Sequence, residues 1–231
     1  MRRASIALVA ILIATIGSAK ASQTKHATCN EGKLDVPAIG YTVIPGDIIA
    51  PYRLQISRNF SRHGQLYLDV CHANLRIVGE RRSDKVVVRI TVTQDRKSQN
   101  VKQFVRTLQV HPRRALIRLD FPNDIQAFVS VAVPMGRASR SVINLQGGDL
   151  RFDSSDSHGN TTINVGGGGV LLRIQGEHDY AAMQIDIDRG RIHGHLPGSN
   201  SRRYLAFKTY HGTGSGRIEV NVAGGDVYVR Q

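Results

Sequence analysis

Val142-Ile143-Asn144-Leu145-Gln146-Gly147-Gly148-Asp149-Leu150-Arg151-Phe152 carries the pattern on which the fold turns. Aliphatic and polar residues alternate, two glycines interrupt, and the alternation resumes at once. Period-two spacing sends one set of side chains to a buried face and the other to water, as a half-buried strand requires. Glycine supplies the positive-φ corner at which one strand turns sharply onto the next.

The unit recurs along the second half of the chain. Ile163-x-Val165 runs into Gly166 to Gly169 and then Val170-x-Leu172-x-Ile174. Met183-x-Ile185-x-Ile187 is followed by Gly190 and Ile192. Leu205-x-Phe207, Gly214-x-Gly216 and Ile218-x-Val220-x-Val222 lead to Gly224-Gly225-Asp226-Val227-x-Val229. Gly148, Gly169 and Gly190 fall 21 residues apart, and Gly216 comes next, after an insertion around Pro197 to Arg203. A repeat of this length reads as a stacked array. One rung buries five or six aliphatic side chains at roughly 1.5–3 kcal/mol each. Ordering its backbone costs roughly 1–2 kcal/mol per residue. A lone rung is unstable, and stacking supplies what it lacks. The expected fold is therefore all-β, a short right-handed β-solenoid resembling a single-stranded β-helix. Because Gly-rich turns serve both arrangements, an antiparallel β-sandwich is the competing architecture.

The same alternation extends towards the N-terminus. Leu66, Leu68 and Val70, then Leu75 and Ile77, then Val86, Val88, Ile90 and Val92 predict strands, with a charged turn over Gly79 to Asp84. Leu116-Ile117-Leu119 and Phe128-Val129-Val131-Val133 predict two more. Between them Val101, Phe104, Val105 and Leu108 stand at i, i+3, i+4 and i+7, the stripe of an amphipathic helix. With Asp95 or Ser98 as cap and Pro112 as stop, this predicts a short helix over 98–109, an edge strand being the other reading.

The chain opens on Arg2 and Arg3, an apolar run from Ile6 to Ile16, and Ala19-Lys20-Ala21, the small-x-small pattern of signal-peptide cleavage. The run is too short for a comfortable permanent span. Residues 1–21 are read as an export signal, 22–53 as an irregular lead-in, and 54–231 as the repeat domain. That leaves 210 of 231 residues, enough for one core. The two cysteines, Cys29 and Cys71, are expected to form a disulfide in an exported protein. It would close a loop worth on the order of 3–4 kcal/mol.

Taking Arg2, Arg3 and Lys20 from the 31 basic residues leaves 28 against 18 acids, near +10. Such an excess suits an anionic polysaccharide or lipid of the envelope, or else serves solubility alone. Sequence-specific nucleic-acid binding is not expected, since there is no Trp and no recognised motif. Basic residues gather at turns: Arg81, Arg82 and Lys85; Arg113 and Arg114; Arg137 and Arg140; Arg202 and Arg203. These are the candidate anion-binding residues, provided that stacking brings them to one flank.

Ala132-Val133-Pro134-Met135-Gly136, then Gly-Gly-Asp-Leu-x-Phe, then repeated x-Gly-x-Ile-x-Val units, resembles the bacterial β-strand repeat family called putative adhesin. Leu75-Arg76-Ile77-Val78-Gly79 with Val86-x-Val88-x-Ile90 fits the same likeness, which covers roughly 60–231. The resemblance implies an exported or envelope-associated protein with no established catalytic residues. The Cys pair, the basic charge and the insertion near 197–203 depart from it.

Remaining constellations favour solvated surface over chemistry. Asp186 and Asp188 share one strand face and offer the acids that a carbohydrate-active enzyme on a β-helix would need. Ile185 and Ile187 take the buried positions, however, which sends both carboxylates outward. His193 and His195, with His178 and His211 in neighbouring repeats, have no Cys or acid placed beside them as metal ligands require. Gly166 to Gly169 lacks the Lys-Ser/Thr and helix start of a phosphate loop. Ser215 in Gly214-Ser215-Gly216, near His211, belongs to a turn rather than a nucleophile elbow. No catalytic residue, metal or cofactor is assigned.

Overall fold

The computed structural model describes residues 47–80, 82–93, 101–136, 139–154, 159–174, 180–194, 200–201, 206–211 and 214–230. In chain order the strands begin with β1 (Ile48–Ala50), β2 (Arg53–Asn59), β3 (Gln65–Cys71), β4 (Asn74–Glu80) and β5 (Lys85–Val92). β6 (Val105–His111), β7 (Arg114–Asp120), β8 (Ala127–Pro134), β9 (Arg140–Leu145) and β10 (Leu150–Asp153) follow. Then come β11 (Asn160–Val165), β12 (Val170–Arg173), β13 (Tyr180–Ile187) and β14 (Ile192–His193). β15 (Asn200–Ser201), β16 (Ala206–His211), β17 (Gly216–Val222) and β18 (Val227–Arg230) complete the set.

These strands build two mixed sheets, both open at their edges. Sheet A runs β1-β2-β5-β8-β4-β10-β12-β18-β14, and sheet B runs β15-β16-β13-β17-β11-β9-β3-β7-β6. Each rung is one sheet B strand, a corner, and the following sheet A strand. Six rungs pair in parallel, and antiparallel strands flank them: β1, β2 and β5 in sheet A, β6, β15 and β16 in sheet B. The two sheets enclose a single apolar core, layered by register. Leu68, Ile143, Ile163, Val220 and Ile185 form one buried row, and Leu75, Leu150, Val170 and Val227 another.

Parallel stacking of Gly-cornered rungs is what the repeats predicted, and an antiparallel sandwich is confined to the flanks. The order of the rungs is not that of a coil. β7/β8, β3/β4, β9/β10, β11/β12, β17/β18 and β13/β14 succeed one another, so the chain leaves sequence order twice: β9/β10 stacks on β3/β4 rather than on β7/β8, and β17/β18 is inserted between β11/β12 and β13/β14. The expectation of a short right-handed β-solenoid is corrected to an open two-sheet, sandwich-like all-β fold with a parallel centre.

The glycine register shifts as well. Corner glycines with positive φ are Gly148, Gly168, Gly190 and Gly225, not Gly169 or Gly216, while His72 takes the positive φ at the β3–β4 corner. Gly216 instead opens β17, opposite Tyr180. The true offset between the β9/β10 and β11/β12 rungs is 20 residues, as Ile143 faces Ile163 and Leu150 faces Val170. Corner glycines form a column in which each lies against the carbonyl of the rung before. A Cβ on Gly168 would stand 2.1 Å from Gly148 O, one on Gly225 2.0 Å from Gly168 O, and one on Gly190 1.9 Å from Gly225 O. No side chain fits there.

The helix expected over 98–109 is absent from its described part. Val101–Phe104 makes one turn of 3-10 helix, and Val105–His111 is β6, the edge strand paired antiparallel with β7. All four stripe residues are buried nonetheless. The short turn buries Val101 and Phe104 three apart. A bulge between Val105 and Thr107 then carries Leu108 back inside, again three residues on. A helical period thus arose without a helix. Asp95 and Ser98, proposed as its caps, lie outside the described residues.

Candidate functional site

Alternation in sheet A decides what its outer face presents. Leu75 and Ile77, Val88 and Ile90, Leu150 and Phe152, and Val227 and Val229 fill the core. The residues between them must point to solvent. Register then aligns Arg89, Ser130, Arg76, Arg151, Leu171, Tyr228 and His193 across β5, β8, β4, β10, β12, β18 and β14. Two residues further along, Asp153, Arg173 and Arg230 form a second row. On the other side Thr91 pairs with Phe128 and Phe128 with Asn74. The Asn74 carboxamide oxygen accepts from Asp149 N–H, and the Asp149 carboxylate accepts from Gly169 N–H.

Asp153 is 8% exposed because arginines cover it. Arg76 Nε donates to it at 3.2 Å and Arg151 Nε at 3.0 Å, while Arg173 Nε stands 3.9 Å away. Three guanidinium groups thus share one carboxylate, an excess of base over acid among the described residues of the cluster. Arg89 adds another, its Nε donating to the neutral Gln55 at 3.0 Å. The face holds a groove of about 820 Å³ lined by Arg76, Arg89, Arg151, Asn74, Ser130 and Leu171 among others. Phe128 and Tyr228 also line it, 43% and 42% exposed, the two large apolar side chains left in solvent among the described residues.

Tyr228 is held in place from beyond the groove. The His193 ring stacks on it at 4.6 Å between centroids and 11° between planes. His193 Nε2 lies 3.0 Å from Asp226 Oδ2, and Asp226 Oδ1 accepts from Arg191 N–H. The hydrogen bond from His193, then that from Arg191, holds the Asp226 carboxyl below its ordinary range.

Part of the basic set proposed from the turns does converge. The 60–64 turn binds its neighbours through Phe60 N–H to Asp84 O, Ser61 N–H to Pro112 O, Gln65 N–H to Arg113 O, and Arg140 N–H to Gly64 O. Arg82 and Lys85 in the connection from β4 to β5, which are separated in the sheet by β8, Arg113 and Arg114 in the β6–β7 turn, and Arg140 at the start of β9 therefore gather around one loop. Arg114 and Arg140 both face Gln65 in register, and the Arg114 guanidinium sits 5.8 Å from the Tyr67 ring. Arg81, Arg137, Arg202 and Arg203 lie outside the described residues, as do Cys29, His178 and His195. Cys71 is buried at the end of β3, and no free cysteine occurs among the described residues.

Asp186 and Asp188 are not drawn together into a site. Asp186 continues a polar row on sheet B beside Asn221, while Asp188 is exposed in the bend after β13. That row is a ladder in which Asn144 donates to Asp69, Asn164 to Asn144 at 2.8 Å, and Asn221 to Asn164 at 3.0 Å. Gly166 to Gly169 forms a rung corner, and Ser215 stands exposed before β17. No group of three or more potential metal ligands occurs among the described residues. No helix there is long and apolar enough to cross a membrane.

No protein-family model matches the chain, and no curated protein is significantly similar to it. Solved structures are. A putative cell adhesion protein from Clostridium sporogenes is 10% identical with a TM-score of 0.47, over 78% of this chain and 99% of that one. A putative adhesin from Parabacteroides distasonis is 14% identical with a TM-score of 0.26, over 77% and 69%. Another from Parabacteroides merdae is 10% identical with a TM-score of 0.25, over 78% and 96%. These three are named as putative adhesins or as a putative cell adhesion protein. At such identities and scores no residue role is carried over from them.

The strand arginines escaped the sequence reading, which looked for charge at turns. Their signal was present: Leu75-Arg76-Ile77, Val88-Arg89-Ile90, Leu150-Arg151-Phe152, Leu172-Arg173-Ile174 and Val229-Arg230 put arginine at outward positions of strands that share a sheet.

Proposed function

We propose that this is an exported, non-enzymatic binding or scaffolding protein of the cell envelope. Its working surface is the arginine-rich outer face of sheet A, and its ligand is anionic. The observation that carries the reading is the sharing of Asp153 by Arg76, Arg151 and Arg173, with Arg89 and Arg230 on the same face. Ion pairs held for stability alone need about one acid per base. A surplus of outward guanidinium groups on a rigid sheet suits carboxylate or phosphate oxygens, which arginine meets bidentately. The turn residues Arg82, Lys85, Arg113, Arg114 and Arg140, with Arg81, Arg137, Arg202 and Arg203 as further candidates, add a diffuse positive field that attracts the same ligands.

Export rests on the N-terminal Arg pair, apolar run and Ala19-Lys20-Ala21. A secreted product beginning at Ser22 supports it, and one retaining Met1 contradicts it. A Cys29–Cys71 bond completes the picture of a protein made for an oxidising compartment. Non-reducing peptide mapping that finds both thiols alkylatable excludes that bond.

The binding reading is tested by retention on immobilised anionic glycan and anionic vesicles across a salt series. From about 0.01 M to about 1 M the screening length shrinks from about 30 Å to about 3 Å. Retention is expected to fall steeply over that range, and to fall at low salt when Arg89, Arg173 and Arg230 are all replaced by Gln. Retention indifferent to both changes removes the electrostatic basis of the proposal.

A further inference from the structure

The geometry points to an acidic polysaccharide chain as the occupant of the sheet A groove, lying across the strands from Phe128 to Tyr228. This rests on the binding reading above and narrows it to one ligand class and one path. The groove is elongated. Phe128 stands on β8 and Tyr228 on β18, with β4, β10 and β12 between. Four strand spacings of about 4.8 Å put the two rings roughly 19 Å apart. That length suits several linked sugars and exceeds a single lipid headgroup.

The chemistry along the path matches a carboxylated sugar polymer in three respects. The apolar C–H faces of sugar rings sit well on aromatic rings, and the groove carries an exposed aromatic on β8 and another on β18. Arg76 and Arg151 are adjacent in register near the middle, and Arg89 lies two strands away from Arg76. Charge is thus offered repeatedly along the strand-crossing direction, as a polymer with repeated carboxylates would use it. Between the charges stand Asn74, Thr91 and Ser130, neutral groups suited to hydroxyls, with Gly169 and Leu171 keeping the floor low. Asp149 at the rim is occupied by Gly169 N–H and sets a limit on the positive field.

The site is also preorganised. Asp153 braces the Arg76 and Arg151 guanidinium groups, and the stack on His193 braces Tyr228. Side chains fixed before binding lose less entropy when the ligand arrives.

The full exported chain is assayed by calorimetry against polygalacturonate, a neutral glucan of similar length, phosphatidylglycerol vesicles and single-stranded DNA. Polygalacturonate is expected to bind, and the neutral glucan not. Phe128→Ala with Tyr228→Ala is expected to weaken polygalacturonate about tenfold or more, each tenfold being 1.4 kcal/mol. Because both rings are solvent-exposed, an unchanged melting curve separates that loss from misfolding, and Phe128→Leu serves as the milder variant. Arg89→Gln is expected to weaken binding and flatten its salt dependence. Equal loss for polymer and vesicles, or no loss on removing the rings, overturns the polysaccharide path while leaving an electrostatic binding surface in place. Preference for vesicles or DNA overturns the ligand class. No binding to any anion brings down both this inference and the function on which it rests.

Discussion

At four of the six rung corners, a glycine stands where no side chain fits. Gly168, at φ +120°, cannot carry a Cβ without driving it into Gly148 O, which is backbone and cannot swing away. Gly168→Ala is therefore expected to destabilise by roughly 2–4 kcal/mol in urea unfolding. Its neighbour Gly167 has no positive φ, and a Cβ there would approach nothing nearer than Gly224 O at 3.9 Å. Gly167→Ala should be neutral or stabilise by up to about 1 kcal/mol, through a stiffer unfolded chain. Equal effects at the two sites would refute the column. A second residue-level prediction concerns Asp226, whose carboxyl His193 holds low. As its folded pKa is depressed, the stability it lends is complete above the ordinary carboxylate range. It fades as pH falls through the lowered folded value. Carboxyl NMR titration should show the Asp226 midpoint rising in His193→Ala, and an unmoved midpoint would deny the bond its role.

At the scale of the element, strands were legible and their irregularities were not. Period-two alternation over 66–70, 86–92, 142–145 and 218–222 marked β3, β5, β9 and β17 because one buried face leaves a regular trace in composition. β6 misled because a 3-10 turn and a bulge each insert an odd step, and two odd steps imitate a helical period. The Asn ladder was equally hidden. Asn144, Asn164 and Asn221 are unremarkable outward residues until register sets them side by side. Asn164, 5% exposed, is its buried link, donating to Asn144 and accepting from Asn221. Asn164→Ala removes the partner of a half-buried acceptor on Asn144 and should cost about 0.5–1.5 kcal/mol in chemical denaturation. A loss well under that range would mean that water replaces the amide without penalty. The strand arginines were invisible for a related reason. Outward positions of a strand are expected to be polar, so a single arginine there says nothing, and only the sheet reveals the row.

Across the whole molecule, the sequence announced that rungs stack but not in what order. Corners of nearly equal length fit any neighbour, so the choice falls to side-chain complementarity, which no local pattern encodes. The outcome places β17/β18 between β11/β12 and β13/β14. Deleting residues 214–231 should therefore open the interior of the stack and abolish cooperative unfolding altogether. In a single-file coil the same deletion would trim one terminal rung and leave a folded remainder. Such pairings, with Leu68 meeting Ile143, also predict folding in the slow range of non-local β proteins. The same stacking order carries the arginines of β4, β5, β10, β12 and β18 onto one surface, and the functional account depends on it. Backbone amide shifts of the labelled protein, titrated with an acidic oligosaccharide, test that dependence most directly. Perturbations should cluster on Arg76, Arg89, Phe128, Arg151, Leu171 and Tyr228. A response confined to the turns bearing Arg82, Arg113 and Arg140, or to the Asn ladder of sheet B, would contradict the account.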